Sequence, residues 1–151
     1  MNSSFRFLIQ FLKLLPYCFF LIFFPITASA DAIKPFTSDG CSAFPDGTRE
    51  QNTLWLACCS AHDYAYWKGG TYKERLKADQ DLEKCVAAAG EKKIATLMLA
   101  GVRVGGSPFW PTTFRWGYGW PYPRFYKALT EEDLLQIEQL ESESRQLQVN
   151  E

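Results

Sequence analysis

A small, mainly α-helical domain held by two disulfides is the fold class this sequence predicts, and three observations carry it. The chain has 151 residues, 47% hydrophobic and 22% charged, which suits one apolar core rather than several or none. Helix-length windows follow one another, each opened by a capping residue or closed by glycine. Of five cysteines, one falls in an apolar leader, leaving Cys41, Cys58, Cys59 and Cys85 as an even set in a small exported domain.

The leader comes first. Arg6 and Lys13 precede the apolar run 14–26, which ends in Thr27-Ala28-Ser29-Ala30 before the polar Asp31. That order predicts a secretory signal peptide over 1–30, cleaved after Ala30, and an extracytoplasmic destination: secreted, or periplasmic in a Gram-negative cell. Cleavage removes two basic residues and no acid, so the remaining chain carries 14 basic and 17 acidic residues, a net charge of -3. Such a balance excludes an electrostatic nucleic-acid binder.

The domain proper is expected over 31–141. Residues 31–50 hold Pro35, Gly40, Pro45 and Gly47 and predict a loop. A first helix is expected over 50–67, stopped at Gly69-Gly70, and a second over 71–89 with Thr71 as N-cap, Glu74 at the capping-box position and Gly90 as stop. Gly69-Gly70-Thr71 could also form a phosphate-binding nest, but no strand precedes it, and helix punctuation is the better reading. A third helix over 92–104 is apolar at Ile94, Leu97, Met98 and Val102. The segment 105–126, with four prolines and nine aromatic residues, cannot be a regular helix. Thr130 opens a last helix with acids in its first turn, and 142–151 reads as a polar tail that frays.

Chemistry concentrates on the first helix. At roughly 100° per residue, Cys58, Cys59, His62, Asp63 and Tyr66 share little more than a third of its circumference. His62 is the single histidine of the chain. Adjacent Cys58 and Cys59 cannot readily bond to each other, which leaves two connectivities. In one of them, Cys41–Cys59 with Cys58–Cys85, the loop lies beside Asp63 and the second helix brings Asp79 beside His62. An imidazole held by a carboxylate through one nitrogen can use the other as a general base. A second carboxylate with loop carbonyls suits a hard cation, calcium rather than zinc. Zinc on Cys58, Cys59 and His62 would require free thiols in an oxidising compartment and lacks C-x-x-C spacing.

The run Cys58-Cys59-Ser60-Ala61-His62-Asp63-Tyr64-Ala65-Tyr66 resembles the C-C-x-x-H-D-x-C-Y active-site helix of the secreted phospholipase A2 superfamily. Asp79 with Cys85 is similar to the D-x5-C of its second long helix, so the resemblance covers about 41–90. It implies a phospholipase A2-like fold of disulfide-linked antiparallel helices with a calcium loop, and the pairing Cys41–Cys59 and Cys58–Cys85. It makes His62 the base that activates water, Asp79 its orienting partner and Tyr66 a hydrogen-bond partner of Asp79. It makes Asp63 a Ca2+ ligand beside the backbone carbonyls of Gly40, Ser42 and Phe44. Ser42 and Phe44 stand where the family has loop glycines, and Ala65 replaces a family cysteine.

Two readings of 105–126 stand side by side. Its aromatic residues can pack over the helices in place of the missing disulfides, or Trp110, Trp116 and Trp120 can face lipid while Arg103, Arg115 and Arg124 meet phosphate groups. Arg75, one turn before Asp79, can pair with it or face water, and the solvated face is the better reading. The expected function is a calcium-dependent lipid-ester hydrolase acting at phospholipid membranes or lipid aggregates. The competing class is a catalytically silent module that binds lipid or a protein through the aromatic segment. A purely structural protein explains the cysteines but not the polar stripe.

Overall fold

The computed structural model describes residues 31–149, so the signal-peptide reading of 1–30 lies outside the described residues. Four helices and no strand occur among them: α1 Leu56–Lys68, α2 Tyr72–Ala88, α3 Lys92–Gly105 and α4 Glu131–Val149. No described helix is long and apolar enough to cross a membrane.

Helix α1 starts six residues later than the sequence predicts. Trp55 is buried, its indole Nε1 donates to the carbonyl of Pro45 at 2.6 Å, and its backbone N–H donates to Asp46 O at 3.0 Å. Those bonds pull 46–55 into a compact turn, where Gly47 lies so close that a Cβ would sit 2.0 Å from Gln51 O. The helix begins only once Trp55 is anchored in the core.

Helix α2 is capped as its sequence predicts. Thr71 accepts from Glu74 N, and the Glu74 side chain returns to Thr71 N at 2.7 Å. Thr71→Ala is expected to cost about 1 kcal/mol of stability, read from urea unfolding. An unchanged midpoint would mean that the cap is redundant.

Two disulfides hold the helices to one another and to the preceding loop. They join Cys41 to Cys59 and Cys58 to Cys85, with Cα–Cα distances of 5.0 and 5.7 Å, so both cysteine thiols of the zinc reading are consumed. The pairs Cys58–Cys85, His62–Asp79 and Tyr66–Arg75 run in opposite directions along α1 and α2, which are therefore antiparallel. Around them, Trp55, Leu82, Val86, Ala95 and Met98 form the core shared by α1, α2 and α3.

Residues 106–126 finish what α1 leaves open. A helix ends with carbonyls that have no intrahelical partner, and here a distant segment satisfies them. Gly117 N donates to Tyr66 O, Gly119 N to Trp67 O, Trp120 Nε1 to Lys68 O and Trp116 Nε1 to Gly70 O. Gly119 permits this approach, since a Cβ there would fall 2.4 Å from the Trp67 ring. Trp116 and Trp120 are each 1% exposed, so their assignment as lipid-facing is corrected; only Trp110 stands in solvent.

The arginines are corrected as well. Arg115 is buried and donates to the carbonyls of Trp116, Gly117 and Trp120, while Arg124 pairs with Asp133 and stacks over Trp120. Neither is available to a phosphate. Helix α4 reaches the body through Ile137, clustered with Ile33, Trp67 and Trp120, and through Asp133. It continues through Val149, and Tyr64 donates a hydrogen bond to Glu141.

Candidate active site

The site grows from α1 and α2. Because the helices are antiparallel, His62 faces Asp79, and Nε2 lies 3.0 Å from Asp79 Oδ1. Tyr66, one turn beyond His62, donates its hydroxyl to the same oxygen at 2.7 Å and places its ring 4.2 Å from the imidazole. Asp79 is wholly buried and His62 is 8% exposed. Burial and the neighbouring Asp79 push the Tyr66 phenol well above its ordinary range, so it remains a donor.

Behind this pair stand two arginines. Arg75 is 4% exposed, which overturns its expected solvated position. It donates to Tyr66 OH at 3.1 Å and Tyr126 OH at 2.6 Å. It also donates to the carbonyls of Val102 and Arg103, both at 2.9 Å, at the end of α3. Those carbonyls and the buried carboxylate drew it inward. Arg103, expected at phosphate, instead sets its Nε 2.8 Å from Asp79 Oδ2 and donates to Leu76 O at 3.1 Å.

In front of His62 opens a groove of about 460 Å³. Its size is that of an ordinary ligand pocket, ~300–1,000 Å³. Leu82, Leu97, Met98, Val102 and Phe114 make it apolar, while His62 and Asp63 supply its charged chemistry. Residues 40–44 form one wall, so Gly40, Ser42 and Phe44 adjoin Asp63 there. The α3 wall was missed in the sequence. Its signal was the apolar side of that helix, where Leu97 remains 57% exposed although the pattern reads as core.

One non-glycine position of the loop takes a glycine-type backbone. Ser42 takes φ 54°, in the left-handed region that glycine favours, and its hydroxyl donates to Asp39 Oδ1 at 2.9 Å. Gly40, at φ 77°, packs against Asp46, whose Oδ1 accepts from Cys41 N at 2.8 Å. Phe44 N donates to Cys41 O to close the turn.

A Ca2+ ion needs hard oxygen donors converging on one place. The carbonyls of Gly40, Ser42 and Phe44 accept no hydrogen bond from a described residue, and all three residues share the groove with Asp63. Burial raises the Asp63 carboxyl, against the opposing effects of the Ser38 hydroxyl, 2.6 Å from Oδ2, and of His62. Those carbonyls and the half-buried Asp63 carboxylate are the hard oxygen donors on this side of the groove. No cluster of three or more His, Cys, Asp or Glu side chains able to hold a metal occurs among the described residues. Ser38 was not legible as a partner of Asp63, being 25 residues away.

Compared with family models, curated proteins and solved structures, the chain matches none.

Proposed function

We propose that this protein is an exported, calcium-dependent ester hydrolase of phospholipase A2 type that cleaves an acyl ester of a phospholipid. The observation that carries the reading is the buried His62–Asp79 pair, whose His62 lines an apolar groove walled on one side by the loop and Asp63. An acyl chain suits the groove's apolar side chains, and the ester linkage would sit at its polar end.

The chain's own residues account for the proton traffic. With Nε2 bound to Asp79, Nδ1 of His62 is the nitrogen that takes a proton from water as the oxygen attacks the ester carbonyl. Asp79 holds the ring and stabilises the imidazolium, and Tyr66 holds Asp79. As the tetrahedral centre collapses, His62 returns the proton to the departing alkoxide. Asp63 and the carbonyls of Gly40, Ser42 and Phe44 would hold Ca2+, which when bound would supply positive charge for the developing oxyanion. The oxidising compartment implied by two disulfides agrees with export.

Asp63→Asn keeps the shape and removes the charge. It is expected to weaken calcium binding, by isothermal titration, and hydrolysis of mixed phospholipid vesicles together, with the helical fold intact. Hydrolysis that continues unchanged in chelator would sink the metal role.

A further inference from the structure

We infer that Arg103 is a positioning residue for His62, acting through Asp79. The inference rests on the reading that His62 activates water, and it concerns a residue on α3, outside the stretch that carries the family resemblance.

Asp79 is 0% exposed, so each of its oxygens depends on protein partners. Oδ1 is shared by His62 Nε2 at 3.0 Å and the Tyr66 hydroxyl at 2.7 Å. Oδ2 accepts no hydrogen bond of good geometry. Its neighbours are Arg103 Nε, 2.8 Å away in an ion pair whose N–H is not aligned for a hydrogen bond, and Arg75 Nε at 4.0 Å. Arg75 is committed elsewhere, to two tyrosine hydroxyls and two carbonyls. Arg103 is thus the close cation that fixes where Oδ2 points, and so the rotation at which Oδ1 meets the imidazole.

That rotation decides a tautomer. A neutral imidazole carries its proton on whichever nitrogen has the better acceptor, and Asp79 Oδ1 is the acceptor that keeps it on Nε2. Nδ1, which has no hydrogen-bond partner among the described residues, is then the unprotonated nitrogen of a side chain lining the groove. Without Arg103, Oδ2 would be buried with no close cation, and nothing would fix the rotation of the carboxylate. Oδ1 would leave Nε2, and the proton would distribute over both nitrogens. Arg103 does not line the groove and acts only by aiming Asp79 and, through it, His62.

His62 is the single histidine of the chain, so nitrogen-15 labelling of histidine gives one imidazole to observe. Nitrogen-15 spectra of the full protein, recorded where the ring is neutral, would be compared for wild type, Arg103→Met and Arg103→Lys. Thermal melts would establish that each variant is folded. Wild type is expected to show the Nε2–H tautomer alone. Arg103→Met should show Nδ1–H rising beside it, with kcat on phospholipid vesicles falling about tenfold to a hundredfold and KM unchanged. Arg103→Lys, which returns a cation, should restore the single tautomer and most of kcat. A wild-type tautomer and kcat in folded Arg103→Met would overturn the inference. So would a folded Arg103→Lys with mixed tautomers, and this second test holds even if the Met variant fails to fold. Absence of hydrolysis in wild type, with the tautomer shift present, would instead defeat the hydrolase reading and leave Arg103's hold on His62 standing.

Discussion

Replacing His62 by Gln is expected to lower phospholipid ester hydrolysis by ~10²–10⁴-fold, the usual loss when a general base is removed. Gln has similar reach and keeps a polar group facing Asp79, so the buried carboxylate retains a donor and the fold survives. What Gln lacks is a nitrogen that accepts and then returns a proton at neutral pH. Calcium binding and vesicle association should be untouched, since Asp63 and the loop 40–44 are unchanged. The measurement is initial rate on mixed vesicles alongside a calcium titration. Equal rates in wild type and variant would remove His62 from catalysis and favour a silent lipid-binding module. That module would use the exposed Phe109, Trp110 and Phe125, because Trp116 and Trp120 are interior.

The second large effect falls on stability. Arg75→Met is expected to cost ~3–5 kcal/mol, the range for breaking a buried charged network by removing one partner. Arg75 is 4% exposed, and Met would leave the Tyr66 and Tyr126 hydroxyls and the last carbonyls of α3 without its four hydrogen bonds. Arg75→Lys should also destabilise, because a single ammonium cannot reach the points that a planar guanidinium spans. Urea unfolding reads both variants. A midpoint unmoved in Arg75→Met would show that the network around Asp79 does not depend on this cation.

Much of the site was legible in the chain, for a physical reason. His62 and Tyr66 are one helical turn apart and Cys58 one turn earlier, so local helix geometry alone places them on one stripe. The cap at Thr71 and the stop at Gly90 are equally local, and the structure reproduces both. Once Cys58 is tied to Cys85, a helix between Thr71 and Gly90 must bring Asp79 alongside His62. The start of α1 was less legible, because the turn before it depends on Trp55 reaching back to Pro45 and Asp46.

What the sequence by itself determined is therefore what short-range spacing can encode: the helices, their caps, the polar stripe and an even set of cysteines. The tertiary structure alone decided which cations are buried and which aromatic residues are dry. Arg75 reads as a surface residue until the end of α3 presents two carbonyls, 27 and 28 residues away, that need a donor. Trp116 and Trp120 read equally as packing residues or as membrane anchors until Lys68 and Gly70, about fifty residues earlier, present carbonyls that their indoles satisfy. A buried polar group must find a partner, and only the folded chain shows which distant residue supplies it.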